Sequence, residues 1–215
     1  MPRTPRSIEL KRPMLFEQRR LVLASGNAGK LKELAHQLEP LSIDVQSQAE
    51  FEVDPVDETG LTFVENALLK AREASRVSGL PALGDDSGLV VQALKGGPGI
   101  YSSRYAGENA SDDQNIEKLL QALDGLPTER RKAHFHCCLV LLRHADDPDP
   151  FIAQGRWHGQ ILFERQGSGG FGYDPVFFDS RQGVAAAELS LSEKALISHR
   201  GIALRGLIDQ LNSGL

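Results

Sequence analysis

Residues 20–38 have the sequence RLVLASGNAGKLKELAHQL, and this stretch decides the kind of fold. The short apolar run at residues 20–24 predicts a buried strand. Residues 25–30 contain two glycines and predict a turn. Apolar residues then recur at helical spacing until Pro40 ends the pattern, which predicts a helix. A strand, a glycine turn and a helix in direct succession are typical of an α/β protein.

The next part of the chain continues this alternation. Residues 62–65, Thr-Phe-Val-Glu, form a capping box, which predicts a helix that ends near Ser78. Residues 81–92 predict two strand segments that meet at Asp85 and Asp86. These two carboxylates are therefore expected at a strand end.

Strands cluster in the second half of the chain. The expected elements are a helix at 111–123, a strand at 133–143, antiparallel neighbours at 151–157 and 160–163, a glycine-rich loop at 167–172, a strand at 174–178 and a last helix capped by Ser192. The early alternation and the later strand cluster together predict an α/β fold with a mixed sheet.

Composition excludes several classes of protein. Of 215 residues, 40% are hydrophobic and 25% are charged, as in ordinary globular proteins. The net charge of −5 argues against a general nucleic-acid binder. The longest apolar run, residues 137–142, is far shorter than the ~20 residues that span a bilayer. Cys137 and Cys138 are the only cysteines and are adjacent, so no disulfide framework is expected and a cytoplasmic location fits.

The N-terminus differs in composition from the rest. Residues 1–19 contain three prolines and are rich in basic residues, without an apolar signal-peptide core. They are expected to be a disordered basic extension, and residues 20–215 a single domain.

Four groups of residues could carry chemistry, and each also has a structural explanation. Residues 25–30 could bind an anion with backbone N–H groups and Lys30, or could simply start a helix. Asp85 and Asp86 suit a divalent cation or a general base, but Asp and Gly are also common turn residues. Glu58 is a further loop carboxylate.

The other two groups lie near the C-terminus. Phe171 lies between glycines and could stack on a planar base, with Tyr173 or Asp174 at the edge of the base, or it could be a core residue of a hairpin. Lys194 and residues 198–201 could bind phosphate or a carbonyl oxygen, or form a solvated basic face. Together the four groups match a site for a nucleoside polyphosphate and a metal ion.

Six segments resemble those of a known family: SGNAGKLKE (25–33), ETGLTFVENA (58–67), DDSGL (85–89), PGIYSSRY (98–105), GGFGYDP (169–175) and SHRG (198–201). The chain resembles the inosine triphosphate pyrophosphatases, also called dITP/XTP pyrophosphatases, from about Leu21 to Leu211. The resemblance implies a two-lobed α/β fold around a long mixed sheet, with the active site in the cleft between the lobes.

The resemblance also implies roles for matching residues. For the triphosphate it implies a binding loop and one further lysine: Ser25, Gly26, Asn27, Ala28, Gly29, Lys30 and Lys70. For the metal and the reaction it implies Asp86 as proton acceptor and magnesium ligand, with Glu58 as a second metal position. For the rest of the substrate it implies Ser87, the base-binding loop of Phe171, Gly172, Tyr173 and Asp174, and the contacts Lys194, His199 and Arg200, with Arg200 at the base.

The implied reaction is hydrolysis of ITP, dITP or XTP to the monophosphate and pyrophosphate, with Mg²⁺, by a cytoplasmic homodimer that binds neither nucleic acid nor membrane. Two alternatives stay open. One is a Maf-like nucleotide pyrophosphatase with another base preference, which the loop at residues 171–174 and the segment at 198–200 disfavour. The other is a non-catalytic nucleotide-binding protein, which Asp86, Glu58 and Lys30 disfavour.

Overall fold

The computed structural model of the protein describes residues 20–213, and the expectation for residues 1–19 lies outside that range. Seven strands form one mixed sheet in the order β2-β1-β3-β4-β5-β6-β7. The pairs β1–β2 and β1–β3 are parallel and all other pairs are antiparallel. The strands are β1 Arg20–Ala24, β2 Asp44–Ser47, β3 Ala82–Val91, β4 Lys132–Leu142, β5 Phe151–Ile161, β6 Phe177–Asp179 and β7 Val184–Ala185.

Five α-helices pack around this sheet: α1 Ala28–Leu38, α2 Phe63–Ser78, α3 Asp112–Ala122, α4 Leu191–Ile197 and α5 His199–Ser213. Leucines of α1 and α5 pack on one face of β1, β3 and β4. Alanines of α2 cover the opposite face of these strands. A further apolar cluster joins α3 to the far halves of β3, β4 and β5. The predicted α/β fold with a mixed sheet is confirmed.

Glycine 84 allows α2 to lie unusually close to β3. A Cβ atom at Gly84 would be 2.0 Å from the backbone oxygen of Ala67, a distance that no side chain could tolerate. The close packing brings the middle of α2, with Lys70, next to the residues that follow Gly84 in β3. Lys70 on α2 and the aspartates that follow Gly84 in β3 therefore lie on two elements that are in close contact.

The two predicted strand segments at residues 81–92 form one continuous strand. β3 pairs with β4 along its whole length, from Ala82 opposite Leu142 to Val91 opposite Ala133. The prediction of a strand end at Asp85 and Asp86 is therefore wrong, because the ladder with β4 continues through both residues. The two pieces predicted at 151–163 are likewise one strand, β5, which pairs with the same partner.

Two further boundaries differ from the predictions. Residues Asp174–Val176 form a 3₁₀ turn, and the strand starts only at Phe177. The last helix is two helices, because Ser198 has extended backbone angles and separates α4 from α5. Ser190, rather than Ser192, caps α4, and the Ser198 hydroxyl accepts a hydrogen bond from Gly201 N–H at 3.2 Å at the start of α5.

Candidate active site

A cavity of about 310 Å³ opens at the centre of the molecule, within the range usual for small-molecule sites. Its wall includes the turn after β1, the middle of β3, the loop before β6 and the start of α5. Every residue to which the family resemblance gives a role lines this cavity, except Ala28 and Gly29, whereas Asp85, Ser198 and Gly201, which the sequence also offered as candidates, do not line it. Segments that are up to 175 residues apart in sequence thus converge on one space.

The turn after β1 forms the N-terminus of α1. The side-chain oxygen of Asn27 accepts a hydrogen bond from Lys30 N–H at 3.0 Å, so Asn27 is the helix cap. The Ser25 hydroxyl accepts from Asn27 N–H at 3.2 Å and tightens the turn. The N–H groups of Ala28 and Gly29, at the first two helical positions, have no partner within the helix. Ala28 and Gly29 do not line the cavity, so it is the helix dipole and the ammonium of Lys30, which does line it, that make this part of the cavity suitable for an anion.

Asp85 and Asp86 have different partners, because adjacent side chains of a strand point to opposite faces of the sheet. The carboxylate of Asp85 is fully buried, accepts from Arg200 Nε at 2.7 Å and lies 2.8 Å from Lys30 Nζ. Burial would raise the pKa of Asp85, but the Arg200 and Lys30 cations outweigh burial and hold it well below its ordinary value. Asp85 is therefore an ionised anchor for two cations.

The carboxylate of Asp86 lies on the other face, toward α2. Its Oδ1 atom is 2.7 Å from Lys70 Nζ, and the same ammonium lies 2.9 Å from Glu58 Oε1. Arg104 donates to the second oxygen of Glu58 at 2.8 Å. Burial raises the pKa of Asp86, and Lys70 only partly offsets this effect. Burial also opposes ionisation of Glu58, but Lys70 and Arg104 outweigh it and lower the pKa of that carboxyl.

The residues around Asp86 fit a magnesium ion. The Oδ2 atom of Asp86 is buried and has no hydrogen-bond partner, and Glu58 offers a second carboxylate to the same ammonium. Within residues 20–213 no three His, Cys, Asp or Glu side chains converge as a complete set of metal ligands. Mg²⁺ in nucleotide enzymes commonly uses only one or two carboxylates and completes its shell with water and substrate phosphates. Asp86 and Glu58 match that pattern.

Beside the N-terminus of α1, the wall of the cavity contains an aromatic ring next to two cations. Lys194 Nζ lies 5.4 Å from the centre of the Phe171 ring, and the Arg200 guanidinium lies 5.9 Å from it. Asp174 Oδ2 accepts from Phe171 N–H at 3.0 Å and from Lys194 Nζ at 2.7 Å. The Tyr173 hydroxyl donates to Ser102 O at 2.8 Å. Asp174 and Tyr173 thereby fix the loop that carries Phe171.

The two residues that start α5 are both buried. Arg200 is 1% exposed and donates to Asp85 and to Glu33, and its Nη2 atom lies 3.3 Å from the Ser87 hydroxyl. His199 stacks on Phe135 with ring centres 4.8 Å apart. Burial, followed by the Arg200 cation, holds the pKa of His199 well below its ordinary value. The imidazole is therefore neutral, and its buried Nδ1 has no hydrogen-bond partner.

Sequence reasoning assigned no role to three residues that shape this site. Glu33 bridges Lys194, at 2.8 Å, and Arg200. Arg104 holds Glu58, and Asp112 accepts from Gly172 N–H at 2.7 Å. One signal for Glu33 was its position three residues after Lys30, which places both on one side of α1. The sequence around Arg104 and Asp112 contains no comparable signal, because their partners are 46 and 60 residues away.

Comparisons with known proteins show the family to which this fold belongs. The sequence profile of the Ham1 family matches residues 21–210. A dITP/XTP pyrophosphatase from Salmonella paratyphi A is 56% identical over 195 residues, which cover 91% of this chain and 99% of that protein. A dITP/XTP pyrophosphatase from Escherichia coli K12 is 53% identical over 195 residues, which also cover 91% of this chain and 99% of that protein.

Solved structures give the same result. A HAM1 protein from Coxiella burnetii superposes with a TM-score of 0.82 at 48% identity and covers 90% of this chain and 98% of its own. The chain belongs to the Ham1 family. Within residues 20–213 no helix has the length and apolar character needed to cross a membrane.

Proposed function

We propose that this protein hydrolyses non-standard purine nucleoside triphosphates, such as ITP, dITP and XTP, to the monophosphate and pyrophosphate. The observation that carries the proposal is a single cavity that brings two groups of side chains together. One group is Phe171 with two cations beside the start of α1, and the other is Lys70 with two carboxylates. The names of the relatives, dITP/XTP pyrophosphatase, support the same substrate class.

The triphosphate would occupy the part of the cavity formed by the turn after β1. The helix dipole at the start of α1 and the ammonium of Lys30 would attract phosphate oxygens there. Lys70 approaches from α2 on the other side. These fixed positive charges would stabilise the negative charge that accumulates on the leaving pyrophosphate, which is the main catalytic requirement in phosphorus transfer.

Asp86 would accept the proton from the attacking water. The oxygen of that water bonds to the α-phosphorus, the bond between the α-phosphorus and the bridging oxygen breaks, and pyrophosphate leaves. Burial makes Asp86 a stronger base than an exposed aspartate, and its Oδ2 has no hydrogen-bond partner within the protein. Mg²⁺ held by Asp86 and Glu58 would neutralise phosphate oxygens when bound.

Base selection would depend on donors in the part of the cavity that carries Phe171. Phe171 offers a ring for stacking, and Lys194 and Arg200 have only hydrogen-bond donors. A purine with a 6-keto oxygen can accept from such donors, whereas the 6-amino group of adenine opposes them. Asp85, Glu33 and Asp174 already bind some of these donors, so the preference for ITP over ATP would depend on the N–H groups of Arg200 and Lys194 that they leave unpaired.

Other features of the proposal follow from the family resemblance. We propose that residues 20–215 act as one domain, that the protein is a homodimer in the cytoplasm, and that it binds neither nucleic acid nor membrane. The free, buried state of Cys137 and Cys138 suits a reducing compartment. The net charge of −5 disfavours contact with a phosphate backbone.

A phosphate-release assay tests the proposal. Purified protein is incubated with Mg²⁺ and ITP, XTP, dITP, GTP or ATP, with and without added inorganic pyrophosphatase. We expect phosphate only when pyrophosphatase is present, and much faster release from ITP, XTP and dITP than from ATP. Phosphate release without pyrophosphatase would contradict the reaction, and faster hydrolysis of GTP or ATP than of ITP would favour the Maf-like alternative with another base preference. No hydrolysis of any triphosphate would favour a binding protein.

A further inference from the structure

Lys70 occupies the position between the two carboxylates that fit a metal ion. Its ammonium lies 2.7 Å from Asp86 Oδ1 and 2.9 Å from Glu58 Oε1, so one cation joins both groups. The three side chains are largely enclosed, with 14%, 6% and 21% of their surfaces exposed for Lys70, Asp86 and Glu58. Without such a cation, the two carboxylates would repel each other in a poorly solvated space.

Lys70 keeps its charge in this position. Asp86 Oδ1 and Glu58 Oε1 both lie within 2.9 Å of its Nζ atom, so two carboxylates hold the ammonium in its charged form. An ammonium has no acceptor and cannot bind a metal ion. Lys70 holds Asp86 Oδ1 and leaves Oδ2 without a partner, so the ammonium and a divalent cation compete for the negative charge of the same two carboxylates.

We propose that Lys70 is an internal counter-ion that blocks the metal position until a triphosphate draws it away. The inference rests on the proposed function and adds to it the order in which Lys70, the metal ion and the triphosphate bind the two carboxylates. In the substrate-free protein, Lys70 neutralises Asp86 and Glu58. When the metal–triphosphate complex enters, the metal takes the carboxylates and the Lys70 ammonium moves to the phosphate oxygens. Metal and nucleotide therefore bind as one unit.

The surrounding residues permit this exchange. Lys70 lies in the middle of α2, whose backbone is fixed against β3, so its flexible four-carbon side chain can turn while the helix stays in place. Arg104 holds the other oxygen of Glu58 at 2.8 Å and keeps that carboxylate oriented after Lys70 leaves. Lys30 cannot replace Lys70, because it is 2.8 Å from Asp85 Oδ1 on the opposite face of β3.

The test is binding of Mg²⁺ to the nucleotide-free protein, measured by isothermal titration calorimetry. Lys70→Met frees Asp86 and Glu58, so we expect it to bind Mg²⁺ at least about tenfold more tightly than the unmodified protein. Lys30→Met is the matched control, because it removes the same charge from the same cavity but from another carboxylate. It should change Mg²⁺ affinity by less than about threefold. Equal Mg²⁺ affinities in the two variants would overturn the proposal.

A second measurement does not depend on a variant. In the unmodified protein, millimolar Mg²⁺ alone should leave the melting temperature nearly unchanged, whereas Mg²⁺ with pyrophosphate should raise it. An equal rise with Mg²⁺ alone would overturn the exchange. Lys70→Gln provides the same binding test if Lys70→Met does not fold. A protein that hydrolyses ITP but fails these binding tests would lose this inference and retain its proposed function.

Discussion

Asp85 and Asp86 are neighbours in β3, yet their carboxylates face opposite sides of the sheet and form ion pairs with different side chains. Asp85 joins Arg200 and Lys30, whereas Asp86 joins Lys70. The same strand thus separates an anchoring carboxylate from a reactive one. The two residues give the clearest division between stability and activity in the molecule.

The corresponding amide variants should therefore have opposite effects. Asp85→Asn leaves the buried Arg200 without its full counter-charge and should lower the free energy of unfolding by about 3 kcal/mol. Asp86→Asn removes a carboxylate whose ionised form burial disfavours, so stability should stay the same or rise. Its kcat should fall by about 10²–10⁴-fold, as for the loss of a general base.

Urea unfolding and steady-state hydrolysis of ITP measure these two effects on the same preparations. Near-normal turnover of Asp86→Asn at saturating Mg²⁺ would remove Asp86 from the reaction. Normal stability of Asp85→Asn would show that Arg200 does not depend on this ion pair.

Glycine 29 leaves space for the ring of Phe171. A Cβ atom at Gly29 would be 2.6 Å from Cδ1 of Phe171, so Gly29→Ala must displace the ring. The change should raise KM for ITP about three- to tenfold, an effect on the order of 1 kcal/mol, as expected for a weakened aromatic contact. Stability should not fall, because alanine is the better helix former inside α1.

Gly26→Ala is the matched control for this variant, because a Cβ atom at Gly26 has no neighbour within 4 Å. It lies in the same turn and should leave KM for ITP close to the unmodified value. The same change of KM in both variants would show that the turn, rather than the ring, determines the effect.

Selectivity for the base should depend on the shape of the Arg200 side chain as well as its charge. Arg200→Ala would leave Asp85 and Glu33 unpaired in the core, so Arg200→Lys is the variant to test. A lysine keeps the charge but loses the planar set of donors. The ratio of kcat/KM for ITP to that for ATP should fall by about tenfold or more, since a charge-assisted hydrogen bond contributes roughly 1.5–3 kcal/mol.

Lys30→Met provides the comparison at the phosphate end. It should reduce kcat/KM for ITP and ATP alike and leave their ratio unchanged. If the ratio of kcat/KM for ITP to that for ATP also stays unchanged in Arg200→Lys, then Arg200 acts on a part of the substrate that both nucleotides share, such as the phosphates.

Histidine 136 should make the protein less stable in mild acid. It is buried on β4, stacks on Phe63 at 4.6 Å and faces Arg156 and His134. Burial, followed by Arg156, lowers the pKa of His136 from 6.5 to about 4. The unfolded chain therefore binds the proton first, and stability is lost as the pH falls from about 6.5 to about 4.

His136→Phe keeps an aromatic ring against Phe63 and removes the titration. Between neutral pH and the acid end of this window, the variant should lose less free energy of unfolding than the unmodified protein, by on the order of 2–3 kcal/mol. Urea unfolding at several pH values gives this difference. Parallel losses in both proteins would assign the acid sensitivity to other groups.

Local patterns predicted the parts of the fold that depend on neighbours in sequence. The strand, turn and helix from Arg20 to Leu38 and the Thr62 cap of α2 are confirmed, because their signals lie within a few residues. The continuity of β3 through Asp85 and Asp86 could not be predicted, since it depends on pairing with β4, about 50 residues later. The break at Ser198 was missed because Ser190, Ser192 and Ser198 are all plausible caps.

The candidate site divides in the same way. Motifs identified about half of the residues that line the cavity, and the individual roles of those residues stay predictions. The partners of those residues were harder to predict. Glu33 meets Lys194 and Arg200 only because α1, α4 and α5 pack together, and no local pattern encodes that arrangement.

Hydrolysis of ITP in ¹⁸O-labelled water shows whether water attacks the α-phosphorus, because it identifies both the products and the phosphorus that is attacked. We expect IMP and pyrophosphate in equal amounts, with the label in the phosphate of IMP, and much slower reaction of ATP under the same conditions. Release of IDP and phosphate, label in pyrophosphate, or equal rates for ITP and ATP would contradict the proposed function.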